Sequence, residues 1–138
     1  QIKYFGGVEA YIKNDKEISN LFKGYPGFFI ENFLEDILID TIDIIIDRKD
    51  AYNFEQLQSD PIIFYGFVKQ VEIIGEAVYK LTNEFKHSHS DIDWDAIEGM
   101  RHVLVHGYYA IKPKRLWQTI NEDIPPLRPQ IINLINEL

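Results

Sequence analysis

From Ile30 to the C-terminus, apolar residues recur at the three- and four-residue spacing of a helix, and this periodicity restricts the fold more than any other feature. Phe33, Leu34, Ile37, Leu38, Ile42, Ile45 and Ile46 share one face, which predicts a helix from Ile30 to about Arg48. The polar stretch Asp50–Ser59 reads as a connection. Asp60-Pro61 then supplies an N-cap followed by a proline at the first helical position, where the missing N–H costs nothing. The helix it opens carries Ile63, Phe67, Val71, Ile74, Val78, Leu81 and Phe85. Gly66 and Gly75 interrupt it. A glycine inside a helix costs up to about 1 kcal/mol against alanine, so these two are expected where another helix comes close.

The polar segment His87–Asp93 reads as a loop, and Asp93 as the cap of a third helix with Trp94, Ile97, Met100, Leu104 and Val105 apolar. Gly107 ends it. Lys112-Pro113 opens a fourth helix with Leu116, Trp117 and Ile120, and Pro125-Pro126 stops that one. A last helix holds Ile131, Ile132, Leu134, Ile135 and Leu138. Nothing beyond residue 30 alternates like a strand. The expected fold for residues 30–138 is therefore all-α, an up-and-down bundle of four to five helices. Residues 1–29 show turn signals at Gly6-Gly7 and Tyr25-Pro26-Gly27 around a weak helical stripe. They read as an N-terminal extension or an altered first helix.

Composition removes several functions. With no cysteine there is no disulfide, thiolate metal site or cysteine nucleophile, and a reducing cytoplasm is the expected setting. No apolar run approaches the roughly 20 residues that span a bilayer, and the start lacks the order of a signal peptide. Residue 1 is Gln and not Met, so the natural N-terminus is expected to be missing or processed. The net charge of −8 argues against broad electrostatic binding of nucleic acid, which draws on Lys and Arg. It leaves room for an enzyme with a few well-placed cations.

Those cations have a candidate position. Arg101-His102-Val103-Leu104-Val105-His106-Gly107-Tyr108 puts an Arg, two His and a Tyr at the end of an apolar helix. His106 lies five positions after Arg101, about 140° around an ideal helix. The two converge on one small substrate only if the helix loosens near Gly107 or a second protomer completes the site. The fitting chemistry is phosphodiester cleavage without a metal. A histidine moves the proton of a ribose 2′-OH or of the leaving oxygen. An arginine offers its planar fork to the charged transition state, and a tyrosine adds a hydrogen bond. The plain alternative is that Arg101 pairs with a carboxylate such as Glu98, with both histidines exposed at a helix end. His102 and His106 at i, i+4 could also grip a metal, but Val103 stands where a zinc hydrolase carries Glu. His87 and His89 read as solvated. Glu72 and Glu76 lie one turn apart beside Gly75, either on a solvated face or with a buried carboxylate orienting Arg101 or His106.

Two blocks together carry a resemblance. Val71-Glu72-Ile73-Ile74-Gly75-Glu76-Ala77 precedes Arg101-x4-His106-x-Tyr108, in an order and at a distance similar to HepT-like proteins of the HEPN superfamily. Asp93-Trp94, and Leu116-Trp117 through Pro125-Pro126-Leu127, match in kind. The resemblance covers about Ile30 to Leu138. It implies a homodimer whose motif-bearing helices meet to form a composite, metal-independent RNase site that needs no cofactor. It further implies an RNA-cleaving toxin of a type VII-like toxin–antitoxin pair, whose partner is a minimal nucleotidyltransferase that transfers AMP to the motif tyrosine, here Tyr108. On this resemblance Arg101 stabilises the transition state, His106 is the acid or base, and His102 and Glu76 support them. His102 departs from the family's usual Asn. Tyr109 is a second AMP acceptor to weigh, and residues 1–29 match nothing in the family. Two rivals remain: a non-catalytic helical partner of a nucleotidyltransferase, and a structural dimerisation domain with a vestigial motif.

Overall fold

A computed structural model describes residues 32–107 and 110–138. The expectation for residues 1–29 lies outside the described residues. Among those described, every regular element is helical and none is a strand, as the periodicity predicts.

The first rod, α1, starts with a π-helical stretch, Leu34–Ile39, and runs on without a break into Asp40–Lys49. Its apolar stripe is buried at Phe33, Leu34, Leu38, Ile42 and Ile45, while Ile37 and Ile46 are partly covered. The expected connection after it contains a short helix, α2 (Phe54–Ser59). Asn53 starts it through a reciprocal capping box. Its Oδ1 accepts from the Gln56 N–H at 2.8 Å, and the Gln56 Oε1 accepts from the Asn53 N–H at 2.9 Å.

The central helix is α3 (Pro61–Lys80), capped by Asp60 Oδ1, which accepts from the Ile62 N–H at 2.9 Å. It ends five residues before the expected Phe85. Leu81 is extended there, and Thr82 Oγ1 accepts from the Phe85 N–H at 3.1 Å. That hydroxyl caps a separate short helix, α4 (Asn83–Ser88), so His87 and Ser88 are helical and not loop. Asp93 caps α5 (Trp94–Gly107) as expected, its Oδ1 accepting from the Ala96 N–H at 3.1 Å. Helix α6 (Pro113–Gln118) starts at the predicted proline and passes into a π-helical stretch, Thr119–Asp123. The last helix is α7 (Leu127–Glu137).

Helix α3 lies between α5 on one side and α1 on the other, and its pairing with α5 is the most extensive in the fold. This sandwiched position explains why it buries residues around much of its circumference, among them Phe64, Val68, Val71, Ile74 and Val78. The remainder of the core forms where α1 meets α7 and the Thr119–Asp123 stretch, with Ile120, Ile124 and Ile131 fully enclosed. Arg128 Nε donates to Asp43 Oδ1 at 2.6 Å, linking α7 to α1. Both side chains are solvent-accessible, so water screens the pair and it contributes little to stability. No described helix is long and apolar enough to cross a membrane.

Candidate active site

The site is built where α5 crosses α3. Gly75 determines how close they come: a Cβ placed there would lie 2.5 Å from Arg101 Cβ and 3.1 Å from Arg101 Cα. One of the two expected close approaches is therefore present. Gly66 is different, because a Cβ there meets nothing within 4 Å.

With its stem against Gly75, the Arg101 side chain reaches along α3. Its Nε donates to Glu76 Oε2 at 2.8 Å, and its Cζ lies 3.9 Å from the centroid of the Tyr79 ring. The guanidinium is thus held in its plane by a carboxylate and across its face by an aromatic ring. Among the described residues, no hydrogen bond engages its two terminal nitrogens. The Arg101 side chain is 19% exposed and that of Glu76 is 41% exposed, so the pair sits at the edge of the core and within reach of a ligand.

Of the alternatives open to Arg101, the carboxylate it takes is Glu76 and not Glu98. Glu98 instead accepts from Lys86 Nζ at 3.1 Å, covering a lysine that is almost wholly buried. Glu72 pairs with Lys69 at 2.9 Å on the outer side of α3. Of the two, Glu76 alone bonds Arg101, and it does so from a partly exposed position where the functional reading expects a buried carboxylate.

His102 and His106 occupy another face of α5. Both are exposed, and their ring centroids are 4.5 Å apart, as i, i+4 spacing allows. Val103 beside them is 58% exposed. Because α5 stays helical to Gly107, Arg101 points to α3 while His106 lies against His102, and one chain does not bring Arg101 and His106 together. No third His, Cys, Asp or Glu joins the two histidines as a metal-binding group among the described residues. In the segment before α5, the His89 ring lies 4.7 Å from that of Phe85, and the His89 carbonyl accepts from Trp94 Nε1 at 2.9 Å. His89 thus helps to anchor the start of α5. The expectation for Tyr108, and for Tyr109, lies outside the described residues.

Sequence reasoning missed Tyr79. The available signal was its i, i+3 relation to Glu76, which puts both on neighbouring parts of the helix surface. What it could not give was the side of α3 on which α5 lies.

Chemically, the arrangement presents an oriented cation whose terminal donors are unengaged among the described residues, and two exposed imidazoles on another face of the same helix. The profile of the family described as "Ribonuclease HepT-like" matches residues 38–134, which contain both motif blocks. Among curated proteins, the chain is similar to a "Putative RNase" of Caldanaerobacter subterraneus subsp. tengcongensis, at 37% identity over 105 residues, covering 76% of this chain and 93% of the relative. It is also similar to a "Probable ribonuclease HepT" of Thermococcus cleftensis, at 35% identity over 98 residues, covering 71% of this chain and 88% of the relative. A "Putative RNase" of Methanocaldococcus jannaschii is 30% identical over 102 residues, covering 74% of this chain and 93% of the relative. The comparison with solved structures gives no match.

Proposed function

The chain belongs to the ribonuclease HepT-like family, and from that membership we propose that it is an endoribonuclease that cuts RNA without a metal, through a site shared between two copies. The observation that carries this reading is Arg101, whose guanidinium is anchored through Nε to Glu76 while, among the described residues, no hydrogen bond engages its terminal nitrogens. In the proposed reaction the ribose 2′-oxygen attacks phosphorus and the bond to the 5′-oxygen breaks. The 2′-OH proton passes to an imidazole, and the departing 5′-oxygen takes up a proton. Arg101 holds the non-bridging oxygens as their charge rises. His106 handles a proton, and His102 supports it from one helical turn away.

Arg101 and His106 point in different directions from one helix, which favours a site completed by the His106 of a second copy packed on the open face of α5. Tyr108, two residues beyond His106, is proposed as the point of control. Transfer of AMP to it by a cognate nucleotidyltransferase antitoxin would place bulk and negative charge where the RNA phosphate sits. The protein then acts as the toxin of that pair.

The test uses purified protein and end-labelled RNA in the presence of a chelator. The parent cuts RNA but not the same oligonucleotide with 2′-O-methyl groups, and Arg101→Ala and His106→Ala each slow cleavage by about 100-fold or more. His106 is exposed in the folded chain, so its replacement leaves the helical far-UV circular dichroism signal of the parent intact. A His106→Ala protein as active as the parent would sink the reading. Co-expression with the nucleotidyltransferase adds the mass of one AMP to the parent and none to Tyr108→Phe. Loss of that mass in Tyr109→Phe instead moves the acceptor to Tyr109. A protein that accepts AMP and never cuts RNA would be the non-catalytic partner.

A further inference from the structure

Tyr79 is an exposed aromatic residue on α3, with 52% of its surface open, yet its ring lies directly against the Arg101 guanidinium. We propose that Tyr79 is a positioning residue for Arg101, fixing the plane of the guanidinium so that its terminal nitrogens meet the RNA phosphate already oriented. This rests on the reading that Arg101 is the phosphate-binding cation.

Gly75, Glu76 and Tyr79 each restrain a different part of the Arg101 side chain. Gly75 lets the stem of Arg101 lie close against α3, which fixes where the side chain starts. The Nε bond to Glu76 fixes one edge of the guanidinium. A single hydrogen bond still allows the plane to swing about its own axis. A ring 3.9 Å from Cζ removes that freedom, because the attraction is greatest with the cation over the ring face. Edge and face are independent restraints, and both come from one turn of α3, at i and i+3.

The two partners also differ electrostatically. The Glu76 carboxylate opposes the guanidinium charge and so weakens its pull on a phosphate, whereas a neutral ring holds the group and leaves that charge available. A long arginine side chain otherwise loses much rotamer freedom on binding. Donors oriented before the reaction contribute most where charge develops in the transition state. Tyr79 thus acts through Arg101 and not by touching the reacting atoms.

The ring face and not the hydroxyl carries this role, which gives a sharp pair of variants. Tyr79→Leu lowers kcat about two- to fivefold with KM unchanged, the size expected for a cation–π contact at an exposed site. Tyr79→Phe restores the parent value. Because the residue is half exposed, both variants keep the parent's thermal midpoint to within a few degrees. In the NMR spectrum, the Arg101 side-chain protons show upfield ring-current shifts in the parent and in Tyr79→Phe, and lose them in Tyr79→Leu. The proposal is overturned if those shifts are absent from the parent, if Tyr79→Leu matches the parent in kcat, or if Tyr79→Phe falls as far as Tyr79→Leu. Failure of the nuclease reading looks different: Arg101→Ala cuts RNA as the parent does, or the parent cuts none. In that case the ring-current measurement still decides whether Tyr79 holds the guanidinium, and shifts that do not depend on the ring overturn the positioning claim.

Discussion

Gly75 and Gly66 lie on the same helix, and helical spacing alone offers no way to rank them. Packing gives them opposite roles. At Gly75 an added Cβ would overlap Arg101 Cβ and crowd its Cα, and backbone cannot move aside as a flexible side-chain tip can. Overpacking of this kind costs about 1–3 kcal/mol. The gain from alanine's better helix propensity is at most about 1 kcal/mol. Gly75→Ala is therefore expected to lower the urea midpoint and, by pushing Arg101 off Glu76, to reduce RNA cleavage as well. At Gly66 the same methyl enters open space, so only the propensity term remains. Gly66→Ala is expected to stabilise the protein by about 0.5–1 kcal/mol with cleavage unchanged. Equal effects at the two positions in chemical denaturation would contradict this account of the α3–α5 contact.

At the scale of elements, side chains that satisfy helix N-termini decide where the periodic pattern is divided. Apolar spacing continues from Ile63 through Leu81 to Phe85, which is why one long helix is expected there. The Thr82 hydroxyl instead begins a new helix by accepting from the Phe85 N–H. Asn53 does the same for α2 in a segment whose polarity reads as a connection. There the Asn-x-x-Gln signature was present in the sequence, but only a few residues follow it, too few to show a period. The Asn53 cap matters beyond its own turn, because α2 buries Leu57 completely and packs on α3 and α6. Asn53→Ala leaves the Gln56 N–H without its partner and is expected to cost about 1 kcal/mol. A urea unfolding curve shows this as a lower midpoint at unchanged slope. A midpoint equal to the parent's would mean that α2 contributes little to the folded state.

At the scale of the whole molecule, the proposed site makes a prediction about counting. If Arg101 of one copy works with His106 of the other, a dimer of one Arg101→Ala chain and one His106→Ala chain has one intact site and one doubly damaged site. Random re-association of the two inactive variants, half of it as mixed dimers, should then recover about a quarter of the parent activity under two-fold symmetry. Sites contained within single chains would recover none. The sequence by itself determined the helical class, the caps at Asp60 and Asp93 and the start of α6 at Pro113, and it singled out the residues proposed for the chemistry. Each of those depends on spacing along one segment, or on a side chain bonded to backbone a few residues away. The angle between positions on one helix left Arg101 and His106 able to converge only if the helix loosened near Gly107, and the structure keeps α5 helical to that residue. Only the tertiary structure decided that Arg101 takes Glu76 and leaves Glu98 to Lys86, that Gly75 is the close approach and Gly66 is not, and that Tyr79 covers the guanidinium. The reason is physical: those outcomes depend on which side of α3 receives α5, and burial summed over the whole core selects that side, not the local spacing in either helix.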